Sequence, residues 1–429
     1  MGGMIDTLRN AWKIVDLRKK ILFTVFMLLI FRIGSHIPVP GFDAEEFGRI
    51  LDSGGSLFGF MDVVSGGALR NATIFAMSIT PYINSSIIMQ LLTVAIPRLE
   101  RLAKEGEEGR KIIAQYTRYG TVILAFVQAI GLYFGLHTAV KDPSVLSFIT
   151  ITLTFTAGTA FLMWLGEQIT EFGVGNGISL LIFAGIVSRG PFGAMVIYNY
   201  YTANAFGEGI VGILGVLGVL LIFLAVIAGV IWVNQAERRI PVQYAKRVVG
   251  RKMYGGQSTH IPIKVNLAGV IPIIFAMSIM AFPSTIISMF AASSSNGVVN
   301  FFKNAPNQWW YSLFNAMLIM FFTFFYTIIQ FNPIEIANNM KKNGGFIPGL
   351  RPGKPTSDYI SKVLNRITWF GGLFLALVTI LPSILGAIFN ISGIWFGGTA
   401  VLILVGVALD TVKQMESQML MRHYKGFLE

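Results

Sequence analysis

The sequence predicts an all-α membrane protein with ten transmembrane helices, and three observations carry that prediction. The 429 residues are 54% hydrophobic and only 13% charged, about half the charged share of a soluble domain. Ten continuous apolar runs approach the roughly 20 residues a helix needs to cross a bilayer core. Lys and Arg alternate with those runs: 27 of the 33 lie in the even-numbered connections and the two ends. Only Arg49, Lys141, Arg189 and Lys303 fall in the opposite loops, and Arg32 and Arg70 lie within or beside spans. Because cytoplasmic loops carry the excess of Lys and Arg, both termini are expected in the cytoplasm. The runs lack period-2 alternation, which argues against a β-barrel.

The elements follow in order. Within residues 1–20, Ile5, Leu8, Trp12 and Val15 recur at helical spacing among Asp6, Arg9, Lys13 and Asp16. This predicts an amphipathic helix over 4–17 on the cytoplasmic face. Spans are expected near 21–37, 70–95, 117–137, 147–168 and 177–197 in the first half, residues 21–200. The second half, 201–412, places them near 209–233, 267–290, 309–332, 367–387 and 393–412, with a cytoplasmic tail at 413–429. Five spans per half is an odd number, so two similar halves would be inverted about an axis in the membrane plane. Pro81 in the second span, and Pro272 and Pro283 in the seventh, are expected to bend those helices at membrane depth.

Residues 56–67 are apolar but too short to span. They read either as an interfacial loop helix or as a re-entrant element, permitted at membrane depth only inside protein. The glycine cluster Gly173–Gly177 follows an apolar helix rather than a strand, so it reads as a flexible turn, not a dinucleotide fingerprint.

Several chemistries are disfavoured. With no Cys, disulfides and thiolate sites are excluded. The four His are scattered, and Gly353-Lys354-Pro355 does not complete a phosphate loop. Ion-coupled transporters usually keep Asp, Glu or His inside their spans. Here Glu167 and Asp410 sit at cytoplasmic ends, which weighs against a carrier. No nucleophile arrangement supports a membrane-embedded hydrolase, and no cofactor is implied. The polar material is concentrated in two long basic connections, 234–264 and 333–366. Both exceed the ordinary 2–8 residues between helices. Length, proline content and charge fit docking loops for an acidic surface or ribosomal RNA.

Several long motifs resemble one family throughout the chain. Gly66-Gly67-Ala68-Leu69-Arg70-Asn71-Ala72-Thr73-Ile74-Phe75 with Pro81-Tyr82-Ile83, and Leu162–Glu171 running into Gly175-Asn176-Gly177-Ile178-Ser179, resemble the two signatures of the SecY family. Its members are central subunits of the bacterial Sec protein-conducting channel. Glu237–Tyr244 and Phe346–Gly353 resemble the family's cytoplasmic loops.

The resemblance implies two inverted five-helix halves around a central pore, with a short re-entrant plug helix near 57–66. It places Ile79, Ile83, Ile182, Ile186, Ile274 and Ile403 in a pore ring, and Phe58, Phe60, Met61, Val63 and Val64 in the plug. A sideways opening is expected between spans two and three on one half and seven and eight on the other. Gln128, Thr80 and Asn84 are candidate polar gate residues, with ordinary interhelical hydrogen bonding as the alternative. Partner docking would use Arg238, Arg239, Lys246, Arg247, Arg351 and Lys354. The implied partners are SecE, SecG, the SecA motor, the ribosome, secretory preproteins with their signal sequences, and membrane lipid. The expected location is the bacterial cytoplasmic membrane. The expected function is a non-enzymatic conduit that passes unfolded chains and releases apolar segments sideways.

Overall fold

The computed structural model describes residues 4–43, 46–49, 62, 65–135, 137–203, 210–244, 247–249, 252–254, 258–290, 308–389 and 398–425. Helix α1 (Met4–Lys13) stops one residue before α2 (Val15–Gly34). The predicted single amphipathic helix over 4–17 is therefore broken near Ile14. α3 (Thr80–Ala95) and the short α4 (Pro97–Lys104) lead into the long α5 (Glu107–Gly135). α6 (Val145–Phe172), α7 (Gly177–Ser188) and α8 (Gly190–Thr202) complete the first half. α9 (Ile210–Gln235), α10 (Ile271–Phe290) and α11 (Trp309–Gln330) follow. Next come α12 (Pro333–Lys342), α13 (Lys354–Phe389) and α14 (Gly398–Lys425). Seven stretches among the described residues are long and apolar enough to cross a membrane, counting α7–α8 and α11–α12 as one each. The other three predicted spans correspond to α2, with Lys19 and Lys20 in its first turns, to the 16-residue α3, and to α10.

One span prediction needs correction. Residues 70–79 are not helical: 65–79 run as consecutive turns, nearly all buried, and α3 begins only at Thr80. Pro81 thus lies in a first turn, where its missing N–H costs nothing, instead of bending a mid-span helix. Pro272 occupies the same place, second residue, in α10. The helix that carries the ninth span, α13, begins earlier, at Lys354, and runs unbroken for 36 residues.

The two halves repeat one packing order. α3 packs on α5, α5 on α6 and α6 on α7, with α2 against α6 and α7. In the second half α10 packs on α11, α11 on α13 and α13 on α14, with α9 against α14. The halves meet where α10 touches α3 and α5, and where α14 touches α7. Threonine hydroxyls at 121, 156, 323, 327 and 368 donate to carbonyls four residues back, which satisfies them without water. Arg118 of α5 pairs with Glu167 of α6 at 2.7 Å. Outward faces remain apolar, as at Phe26, Leu29, Phe126, Leu221, Leu224, Phe321 and Leu377, so the exterior suits lipid.

The basic connections are not extended loops. β1 (Glu237–Tyr244), β2 (Arg247–Val249), β3 (Lys252–Tyr254) and β4 (Ser258–Lys264) come from the first, and β5 (Gly345–Phe346) from the second. The order β4-β1-β5 is antiparallel throughout, with Ile240 opposite Ile261 and Gln243 opposite Phe346. Pro241 is tolerated because β5 reaches only Gln243 and Tyr244, leaving that edge of β1 open. Ile240, Val242, Ile263, Met340, Ile347, Ile360 and Leu364 form the unit's own apolar core.

α1 packs on α14 and α2. Ala11 and Leu17 share a cluster with Val174 and Met415, while Trp12 stays half exposed. This helix therefore rests on protein, not only on the membrane surface.

Candidate functional site

The centre of interest is the join between the halves, and four segments converge there. The first is the start of α3. Ile79 occupies its N-cap with φ −96° and ψ 5°, preceded by Ser78 at φ +52°. The non-helical stretch before it satisfies its backbone internally. Val39 N donates to Ala72 O at 2.9 Å, and Ile74 N donates to Ile37 O at 3.0 Å. Irregular backbone survives at membrane depth only when enclosed by protein in this way.

The second segment is α7. Its start is fixed by the glycine cluster, which is pinned rather than flexible. Asn176 accepts from Ser179 N at 3.1 Å, Gly177 N donates to Thr170 Oγ1 at 2.8 Å, and Val174 N donates to Thr24 Oγ1 at 3.0 Å. The turn holds α7 close beside α6 and directs Ile182 and Ile186, one helical turn apart, onto one face. The third and fourth segments are α10, carrying Ile274, and α14, carrying Ile403.

All six isoleucines named from the sequence fall in one apolar cluster. Ile79, Ile182, Ile186 and Ile403 are buried, and Ile83 and Ile274 are partly buried against them. Phe31, Phe75, Leu162, Leu165 and Ala68 belong to the same cluster. Ala68 brings the non-helical turn into it. Across the seam, Ile87 of α3 packs with Ile273 and Phe275 of α10 and with Ile319 and Phe322 of α11. Thr80, Asn84 and Gln128 are half-buried.

The remaining named residues divide. Phe58, Phe60, Met61, Val63 and Val64 lie outside the described residues, as does Lys246. Arg238 and Arg239 are exposed on β1, with Arg239 paired to Glu237 at 2.7 Å. Arg247 lies on β2. Arg351 and Lys354 are exposed at a braced turn before α13. There Leu350 N donates to Ile347 O at 3.0 Å and Thr356 Oγ1 to Arg351 O at 2.9 Å. Gly349 and Gly353 take φ of +83° and +107°, values that disfavour other residues.

Sequence reasoning missed three features. It did not foresee that the two basic connections form one sheet, although the alternation Ile240/Val242 and Ile261/Ile263 was a period-2 signal. It treated Arg189 as an outer-loop residue, whereas the side chain is nearly buried. It also named no partner for Arg32. Arg32 Nη1 donates to Gly66 O at 2.9 Å and to Ser188 Oγ at 3.2 Å.

A multi-pass helical membrane protein, with two halves of one packing order meeting at an apolar cluster and a folded basic unit built from two of its connections, is the class these features define. The SecY family profile matches residues 73–412. The chain is 49% identical over 442 residues to the protein translocase subunit SecY of Halalkalibacterium halodurans, covering 99% of this chain and all of that one. It is also similar to a solved structure described as that of a protein conducting channel, with TM-score 0.63 and 19% identity over 94% of this chain and 92% of the other. Sec61 in the canine ribosome-channel complex gives TM-score 0.60 and 18% identity, with the same coverages. The chain belongs to the SecY family.

Proposed function

We propose that this chain is the protein-conducting subunit of a bacterial Sec channel in the cytoplasmic membrane, with both termini in the cytoplasm. The convergence of six isoleucines from α3, α7, α10 and α14 on one cluster at the join of the halves carries this reading, together with membership of the family. The cluster closes the route when no chain is present. Side chains branched at Cβ are stiff at χ1, and an apolar constriction resists ions by dewetting. The segment near 57–66 acts as the plug on the outer side.

The physical need is plain. Each charged residue of a secretory chain at the bilayer centre costs about 2.5–3.5 kcal/mol on the insertion scale, and unpaired backbone adds more. A hydrated route removes that cost. The seam of α3 and α5 against α10 and α11 is the lateral exit, through which lipid draws the apolar core of a signal sequence. The chain supplies no chemistry of its own. Energy comes from SecA hydrolysing ATP, or from a translating ribosome, docked on the sheet unit through Arg238, Arg239, Lys246, Arg247, Arg351 and Lys354. SecE braces the bundle and SecG is accessory.

Protease protection of a secretory precursor in proteoliposomes tests the reading. Protection requiring this chain, SecE, SecA and ATP is expected. Failure with correctly inserted channel and active motor, unrelieved by SecG or ribosomes, overturns it.

A further inference from the structure

We propose that Asp62 and Arg189 form a charge latch that positions the turn at 65–70 against α7, and so sets which chains the channel admits. The inference rests on the channel reading above. Arg189 stands at the break in the fifth span, as C-cap of α7 and N-cap of α8. Its guanidinium pairs with the Asp62 carboxylate, and their side chains are 13% and 7% exposed. It also lies 5.1 Å from the centre of the Phe192 ring, on which Arg70 approaches to 6.0 Å. An ion pair so enclosed in a membrane protein is a functional candidate by default.

Asp62 organises the turn as well as the pair. Its carboxylate accepts from Arg70 N at 2.9 Å, and its carbonyl accepts from Gly67 N at 2.8 Å and Ser65 Oγ at 3.0 Å. The turn fits α7 with no room to spare. A Cβ on Gly67 would lie 3.1 Å from the Arg189 guanidinium carbon, and one on Gly66 would lie 3.1 Å from the Gly185 Cα. Both glycines have positive φ, +89° and +69°. Arg32 of α2 donates both to the Gly66 carbonyl and to Ser188 Oγ of α7.

The latch therefore connects the turn that leads out of the proposed plug to the helix that carries two of the six isoleucines. Ile186 is three residues before Arg189, and Ala68 of the turn belongs to the isoleucine cluster. Any opening that parts the turn from α7 must separate two charges that water scarcely reaches. Removing one partner leaves the other buried and uncompensated in the closed state, which favours opening. Asp62 and Arg189 are thus positioning residues, acting through the turn.

The experiment uses the purified full chain with its channel partners in planar bilayers and proteoliposomes. Asp62→Asn keeps the size and the acceptor for Arg70 N but removes the charge; Arg189→Gln removes the other. Each is expected to raise resting ion conductance about ten-fold or more and to admit precursors with weakened signal sequences. Arg189→Lys, which retains the charge, should recover most of the parental seal. Transport of a precursor with an intact signal serves as the folding control. Parental conductance and stringency in both charge-removing variants, with that control normal, overturns the latch and leaves the channel reading standing. Loss of insertion or of the control in both, with no leak, assigns the pair a merely structural role and also overturns the latch. If the parental channel itself fails to transport, the channel reading falls.

Discussion

Replacing Ile79 and Ile274 by asparagine should hold the constriction open. Ile79 is 1% exposed, so its substitution forfeits nearly the whole burial of an isoleucine side chain, about 1.5–3 kcal/mol. Ile274 is only partly buried and contributes a smaller share, about 1 kcal/mol on the same scale. Both sites share one cluster, so the two do not add fully, and about 2.5–4 kcal/mol is an upper value. If that burial exists only when the ring is closed, the closed-to-open ratio falls by roughly 60- to 700-fold, at 1.4 kcal/mol per factor of ten. The amides also hydrate the constriction and remove its dewetting barrier. Conductance of the reconstituted double variant should rise accordingly, and precursors with defective signals should cross. Ile79→Leu keeps the volume and should change little, since such swaps usually cost under about 1.5 kcal/mol. A correctly inserted double variant with parental conductance and parental signal stringency refutes the claim that these two residues close the route.

Three further outcomes are expected. Arg351→Glu reverses a charge on the braced turn before α13 and should abolish SecA-driven transport while thermal unfolding of the purified channel is unchanged; normal transport would remove Arg351 from the docking surface. Ile240→Ala opens a cavity in the core of the sheet unit, where Ile240 is 1% exposed, at a cost of about 2–5 kcal/mol. Limited proteolysis should then cut within 237–264 faster, with the membrane helices still protected. Gly371→Leu drives a side chain toward the Val265 carbonyl, 2.7 Å from an ideal Cβ; such overpacking costs about 1–3 kcal/mol, read as a lower unfolding temperature in detergent.

The positions of the helices were legible because hydropathy depends on composition, which needs no partner. The points of failure are those where tertiary contacts override the local pattern. Residues 70–79 are apolar enough to continue a span, yet they turn. Their backbone pairs with 37–39, Ile74 N donating to Ile37 O and Ala72 O accepting from Val39 N, and Pro81 gives a ready helix start. Nothing local to Arg189 distinguishes an outer loop residue from a buried one; only Asp62, 127 positions earlier, makes its burial tolerable. The isoleucines show the same limit. Periodicity places Ile182 beside Ile186, but four separate segments must fold before six such residues meet. Resemblance to a family supplied what spacing could not.

The sheet changes how force from outside would reach the seam. Two loops docking separately would transmit little, since a flexible connection absorbs displacement. Here β1 pairs with both β4 and β5, so the connections move as one body. Each side of that body then enters the bundle by a short path. β4 ends at Lys264 and α10, which carries Ile274, begins at Ile271. The intervening turn is tied to the end of α9, with Val265 N donating to Ala236 O at 2.9 Å and Asn266 Nδ2 to Asn234 Oδ1 at 2.8 Å. On the other side, Ile360 and Leu364 sit in the sheet's core while lying on α13, which continues unbroken to Phe389. Packed elements shift between discrete arrangements rather than deform continuously. A motor pressing on β1 would therefore move α10 and α13 together, and α10 is the helix that meets α3 and α5 at the seam. Ile240→Ala separates the two functions, because it loosens the lever without touching the isoleucine cluster. It should reduce driven transport while resting conductance stays at the parental level.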